Sequence, residues 1–152
     1  MGDVGSMEQY DSVADIWLAR SPMPTSRDHI AVAVSDSMIY VFGGRLGTFA
    51  RNLATTEAYD PQSDTWRQRT SMPTARSGIG AGPFRGRKYV FGGESLEGTF
   101  DQNERFEPRI DGWEDAPSLP TARHGLGVAV VGNRIYVLAG GSTPGGSSSG
   151  LN

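Results

Sequence analysis

The 152-residue sequence predicts an all-β protein made of a tandem repeat of 47 to 49 residues. The three tryptophans, Trp17, Trp66 and Trp113, are 49 and 47 residues apart. Pairs of glycines keep nearly the same interval: Gly43 and Gly44, Gly92 and Gly93, Gly140 and Gly141. Between these marks lie short apolar or alternating segments bounded by turn residues, and no useful helical period is present, which is typical of antiparallel strands.

Each repeat unit contains four predicted strands, labelled a to d. Strand a is predicted from His29 onward and at 77–84 and 125–131, and strand b begins at Met38, Lys88 and Arg134. Strand c includes the segment ending at Asp60, with its counterparts "QNERFE" and "MEQYD", and strand d is predicted to begin at each tryptophan. Asp15, Asp64 and Asp111 precede the tryptophans by two residues and are interpreted as turn formers that bond local amides. Four meandering strands per unit correspond to one blade of a β-propeller.

These marks resemble the kelch repeat, in which a glycine pair ends the second strand and an aromatic residue and a tryptophan follow. One copy has Gly43, Gly44, Tyr59 and Trp66, and the next has Gly92, Gly93, Phe106 and Trp113. The resemblance covers residues 7–152 and implies a kelch-type β-propeller. Glycine pairs at a strand end permit positive φ and let a neighbouring blade approach the bare backbone.

The order of strands predicts three blades per chain, divided into a half blade, two full blades and a second half blade. Residues 1–6 are interpreted as an expression remnant, 7–26 as strands c and d, 27–72 and 73–121 as full blades, and 122–152 as strands a and b. Complete propellers have four to eight blades. We therefore expect a homodimer that closes a six-bladed ring and covers the open sheet edges. The alternative is a piece excised from a longer six-bladed or seven-bladed protein.

Composition excludes several classes of function. With a net charge of −3, the protein does not have the positive surface that binding to a nucleic acid requires. No apolar run is long enough to predict a membrane span. The absence of cysteine favours a cytoplasmic address without demanding it, and it excludes the copper-radical oxidases with kelch propellers, whose cofactor needs a cysteine joined to a tyrosine. His29 and His124 lack metal-site spacing, so neither a metal nor a cofactor is predicted.

The candidate ligand-binding residues are Arg27, Arg76 and Arg123, each three residues after a proline and at the opening of strand a. In an up-and-down meander, the d-to-a and b-to-c loops lie on the same face, where binding residues concentrate. Arginines at a similar place hold acidic peptides in kelch adaptors of ubiquitin ligases, so the resemblance suggests the same role here. The alternative is that each arginine bonds carbonyls or an acidic residue within the propeller.

Three functions remain open at this point. The first is a non-catalytic kelch scaffold that binds a protein or peptide segment, expected to be acidic, at the face of the d-to-a and b-to-c loops. The second is a sugar enzyme resembling sialic-acid mutarotases, with Glu94 and Asp28 as the nearest candidates for a general acid or base. The third is an engineered or excised half-propeller that self-assembles without an evolved ligand.

Overall fold

The computed structural model describes residues 4–145, apart from the side chain of Phe49. Its strands are β1 (Met7–Asp11), β2 (Ile16–Arg20), β3 (Ala31–Ser35), β4 (Met38–Phe42), β5 (Arg45–Leu46), β6 (Thr48–Asn52), β7 (Thr56–Asp60), β8 (Thr65–Arg69), β9 (Gly80–Phe84), β10 (Arg87–Phe91), β11 (Asn103–Glu107), β12 (Gly112–Ala116), β13 (Gly127–Val131) and β14 (Arg134–Leu138). All pairs in these sheets are antiparallel, which confirms the all-β fold.

The strands form two four-stranded sheets, which we call the complete blades, and three two-stranded sheets, of which β1–β2 and β13–β14 are called the half blades. β3, β4, β7 and β8 form one four-stranded sheet, and β9 to β12 form the other in strict sequence order. Within residues 4–145, β1 pairs only with β2, and β13 pairs only with β14. Among residues 4–145, no helix is long and apolar enough to cross a membrane.

Aromatic side chains from consecutive blades form the core. Phe42 on β4 packs against Phe106 and Trp113 of the next blade, with ring centroids 6.4 and 5.6 Å away, respectively. Phe42 and Phe106 are fully buried. Because aromatic residues remove so much apolar surface from water, this contact is a main source of blade-to-blade cohesion.

The glycine pairs adopt positive φ and allow a close approach of the next blade, as the sequence predicts, but the pair in the last repeat is shifted by one residue. A Cβ atom on Gly43 would lie 2.6 Å from the carbonyl oxygen of Arg76 in the next blade, and both glycines of that pair have positive φ. In the last repeat, the equivalent of Gly43 is Ala139, with φ 53°, and the equivalent of Gly44 is Gly140. Gly141 therefore lies outside the pair, and the predicted pair Gly140 and Gly141 is shifted by one residue.

Several element boundaries differ from the sequence prediction. Strand d begins one residue before each tryptophan, because Ile16, Thr65 and Gly112 already pair with the preceding strand. The first b-to-c linker, expected as a loop, contains the β5–β6 hairpin. The amide of Met23 donates to the carbonyl of Gly5, as that of Met72 donates to Ala54, so the repeat architecture extends back into the segment interpreted as a remnant.

The aspartates before the tryptophans act differently from simple turn formers. Asp15, Asp64 and Asp111 have φ between 50° and 57°, in the left-handed region where aspartate is tolerated. The carboxylate of Asp64 accepts hydrogen bonds from the Tyr59 hydroxyl at 2.6 Å and from the Ser21 amide of the preceding blade at 3.0 Å. The expectation of local amide bonds is therefore wrong for Asp64, which joins two blades.

Candidate functional site

The d-to-a and b-to-c loops meet on one face of the molecule, which we call the loop face. Isolated β-bridges join the two loops at the same place in each repeat: Asp28 with Arg45, Ser77 with Glu94, and His124 with Gly141. The bridges make the backbone here regular, so three equivalent positions present their side chains at the same site in successive blades.

Two of the candidate arginines are internal to the blades. Arg76 is fully buried, and its guanidinium donates to a carboxylate oxygen of Glu104 at 2.9 Å and to the carbonyls of Gly92 and Gln102. Burial lowers the pKa of Arg76, and the adjacent Glu104 carboxylate opposes that shift. Arg27 is likewise buried, in an ion pair with Glu57.

The interpretation of Arg27 and Arg76 as surface anion contacts therefore requires correction. Their charges are neutralised by glutamates of their own blades, and both side chains are closed to a ligand at the surface. The alternative, in which the arginines bond carbonyls and an acidic residue within the propeller, describes both. Sequence order could not distinguish them because a strand-end arginine can turn toward the loop face or into the blade.

Arg123 has a different environment. It is partly exposed, and its guanidinium donates to the carbonyl of Val137 at 3.1 Å. Within the described part of the chain it has no carboxylate partner, and its Nε atom is buried without an acceptor.

A polar cluster occupies the loop face instead of the three arginines. We define the loop-face cluster as Asp28, His29, Arg45, Glu94 and His124. Arg45 is its centre, with Nη1 3.1 Å from Glu94 Oε1 and Nε 3.1 Å from Asp28 Oδ1. Glu94 is buried, and its second oxygen lies 3.4 Å from His124 Nδ1.

The contacts of His29 define the position of its proton. Its Nε2 lies 2.9 Å from Arg45 Nη2, and its Nδ1 lies 3.0 Å from Asp28 Oδ1. A guanidinium can only donate, so Nε2 must accept and the proton is carried by Nδ1, facing the carboxylate. The ring is thereby held in one orientation while remaining about half exposed.

His29 is also held in a strained backbone conformation. Its φ is 53°, whereas the equivalent positions are Gly78, with φ 62°, and Gly125, with φ 63°. A residue with a Cβ atom costs roughly 1–2 kcal/mol in this region relative to its preferred conformations. A side chain kept at such a position is a reason to look for function there. The sequence signal was the alignment of His29 with Gly125.

A groove lies beside the cluster, between the β5–β6 hairpin and the next b-to-c loop. Its volume is about 270 Å³, and it is lined by Ala50, Asn52, Ala75, Ser95, Leu96, Glu97 and Phe100. This volume is below the roughly 300–1,000 Å³ of typical small-molecule pockets. The exposed Leu96 lies at its edge.

The part of the chain that the structure describes contains no group of three or more histidine, aspartate or glutamate side chains placed to hold a metal ion. The partly exposed carboxylate of Asp28 can accept a hydrogen bond from a ligand, whereas both ring nitrogens of His29 and of His124 already contact groups of this chain. Its one arginine already contacts two carboxylates.

Comparison with known proteins identifies the repeat. Residues 26–73 match the Kelch motif. A segment of 41 residues is 51% identical to Kelch-like protein 38 of Rattus norvegicus and 49% identical to that of Homo sapiens. That segment is 27% of this chain and 7% of each relative.

The fold matches over nearly the whole chain. The solved structure of YjhT superimposes with a TM-score of 0.81 at 19% sequence identity, covering 95% of this chain and 54% of YjhT. At that identity the likeness concerns the fold alone, and this chain spans about half the length of its structural neighbour. The repeat marks, the sheet order and the three comparisons lead to one conclusion: the chain is built from kelch repeats with the architecture of a kelch β-propeller.

Proposed function

We propose that this chain is a non-catalytic kelch scaffold that binds a protein or peptide segment at the loop face. The supporting observation is a contrast among the repeats. Positions that hold the blades together keep their residue type, as in Trp66 and Trp113. At the loop face, Arg45 and Glu94 are equivalent positions with opposite charges. A regular scaffold with differentiated loops is the usual arrangement of a binding module.

The site favours a segment with one apolar side chain and nearby hydrogen-bond donors. The groove accepts the apolar group next to Leu96, and the exposed carboxylate of Asp28 accepts from a backbone amide or a basic side chain. Arg27 and Arg76 no longer support the expectation that the segment is acidic, because glutamates inside the blades neutralise both charges.

A phage-displayed library of random peptides, selected on the immobilised protein, tests the proposal. Selected peptides are expected to bind at least tenfold more weakly to His29→Gly and to Leu96→Ser. His29→Gly introduces the residue found in the other repeats, so it leaves the backbone unstrained. Ile110→Ser, at an exposed c-to-d turn on the opposite face, serves as the matched control. Failure to select any peptide, or equal binding by all variants, would contradict the proposal.

We also propose that two copies form the scaffold by closing a six-bladed ring. Each chain contributes two four-stranded sheets and two half sheets, and joining the half sheets of two chains gives six blades. That number lies within the usual range of four to eight. A twofold arrangement leaves no half sheet open and places two loop-face clusters around the same mouth.

An enzyme resembling a sialic-acid mutarotase is the second candidate, and one observation favours it. Glu94 is a buried carboxylate held between Arg45 and His124, an arrangement that could exchange a proton with a bound sugar acid. The test is the interconversion of sialic-acid anomers followed by NMR. The scaffold proposal expects no acceleration. Sustained turnover by the wild-type protein that is lost in Glu94→Gln would contradict the scaffold proposal and support the enzyme.

A further inference from the structure

The complete blades contain a buried ion-pair unit that each half blade has only in part. In one blade, Arg27 pairs with Glu57, whose other oxygen accepts from the Thr25 hydroxyl at 2.7 Å. In the next blade, Thr74, Arg76 and Glu104 repeat the same arrangement, with Thr74 Oγ1 2.6 Å from Glu104. The unit therefore joins the start of strand a to strand c of one blade.

The third copy of this unit is divided between the two half blades. Thr121 and Arg123 precede β13, and the equivalent glutamate, Glu8, lies on β1. Glu57 and Glu104 are each 2% exposed, whereas Glu8 is exposed and has no ion pair among the described residues. Among the described residues Arg123 has no carboxylate partner and Glu8 has no cation partner, so each half blade lacks the charge that the other supplies.

The apolar faces of the half blades are complementary as well. At the junction between β9 and β13 within one chain, Gly80 and Gly82 leave room for the side chains of Val128 and Val130. A Cβ atom on Gly80 would lie 2.7 Å from Val128 Cγ2. The equivalent small residues of β13, Gly127 and Ala129, are exposed. On β3, the valines that face the open side, Val32 and Val34, are exposed by 44% and 54%.

The tryptophans indicate the same junction. Trp66 and Trp113 each donate from Nε1 to a carbonyl of the preceding blade, Ser21 and Thr70, at 2.8 Å. Trp17 is 68% exposed, with no such carbonyl within the described residues. In a composite blade the equivalent acceptor is the carbonyl of Pro117 in a second copy.

An apolar cavity of about 220 Å³ lies at the open side of β3 and β4. Its lining includes Val32, Ile39, Val41 and Trp66. Strand b of the blade formed by β3, β4, β7 and β8 packs against the tryptophan of the next blade, through the contact of Phe42 with Trp113. The exposed Tyr136 and Leu138 of β14 in a second copy are therefore the side chains that fill this space.

We propose that Glu8 of one copy enters a buried ion pair with Arg123 of a second copy, and that this pair sets the register of each composite blade. The inference rests on the proposed two-copy ring and adds the residues that join it. Ala139, which replaces the glycine of the other junctions, requires the second copy to sit several tenths of an ångström further away at that point.

Charge exchange between two variants tests the pair. Glu8→Arg places two arginines at each junction, and Arg123→Glu places two glutamates there, so each variant alone is expected to dimerise at least about a hundredfold more weakly than wild type. In an equimolar mixture, every junction of the heterodimer again joins an arginine and a glutamate. The mixture is therefore expected to recover the mass of a dimer of 16.3 kDa chains in light scattering and native mass spectrometry.

The controls separate the ring from the ion pair. Glu114→Arg, an exposed change on a complete blade, is expected to leave the dimer intact, and circular dichroism checks that each variant is folded. A wild-type protein that stays monomeric across the dilution series overturns both the ring and the pair. A dimeric wild type whose single variants remain dimeric overturns the pair while leaving the ring.

Discussion

Replacing Glu104 with glutamine tests the energy of a buried charge pair, because the substitution keeps the shape of the side chain and one of its two acceptor oxygens. Glu104 is 2% exposed, and its carboxylate contacts Arg76 at 2.9 Å and Thr74 at 2.6 Å. The variant leaves the Arg76 guanidinium buried without a counter-charge. Arginine does not deprotonate within proteins, so the charge cannot be relieved by titration.

The expected loss is about 3 kcal/mol in the free energy of unfolding. Removing one member of a buried ion pair costs roughly 3–5 kcal/mol, and the acceptor oxygen that glutamine keeps places this substitution at the lower end. With a urea m-value of about 2 kcal/mol/M, the unfolding midpoint should fall by about 1.5 M. Urea titration at neutral pH, followed by tryptophan fluorescence and circular dichroism, measures the shift.

Glu114→Gln is the matched control in the same blade. Glu114 accepts from Arg105 at 2.9 Å, but both side chains are substantially exposed, so the same chemical change should cost less than about 1 kcal/mol. Equal midpoint shifts for the two variants would refute the reasoning, since burial would then contribute nothing to the pair.

Two further predictions concern titration. Lys88 is buried, and its Nζ lies 4.3 Å from the centroid of the Tyr40 ring. Burial lowers the pKa of Lys88 below 10.5. The free energy of unfolding should therefore rise as the pH increases toward 10.5, because the folded protein loses the buried charge. Lys88→Ile, the residue of the other repeats, should leave stability unchanged or higher and flatten the alkaline rise, and a large destabilisation in urea titrations would contradict this. The Tyr59 hydroxyl and a backbone amide lower the pKa of Asp64 below 3.8, so its contribution is present above that pH and is lost as acid protonates it. Asp64→Asn should therefore reduce the acid dependence of the unfolding midpoint, and an unchanged dependence would count against the interaction.

Much of the fold was predictable because the copies of a tandem repeat can be aligned with one another within a single sequence. Trp66 and Trp113 marked the register, and the turn residues between short apolar segments marked the strands. The glycine pair at Gly43 indicated a close approach of backbone, which the carbonyl of Arg76 provides. The last glycine pair was assigned one residue too late. Gly140 and Gly141 are adjacent glycines like the earlier pairs, but the residue equivalent to Gly43 is Ala139.

The candidate site was less accessible from sequence. Asp28 and Glu94 had been considered as an acid or base by loop position, but Arg45 joins them by a contact with Asp28 in its own blade and a contact with Glu94 in the next blade. Such contacts depend on the rotation from one blade to the next, which no local pattern specifies. The β5–β6 hairpin, which forms one wall of the groove, was expected as a loop because its segment is short and polar.

The sequence by itself determined the repeat, its four strands and the residues that hold blades together, because periodicity, turn chemistry and apolar alternation are local properties. Only the tertiary structure decided the direction of the strand-end arginines. Arg27 and Arg76 turn inward to Glu57 and Glu104, since a glutamate on strand c of the same blade compensates each charge, whereas the cluster around Arg45 faces outward. Burial and pairing between residues about thirty positions apart arise when the strands of one blade pair into a four-stranded sheet, and a linear pattern does not contain them.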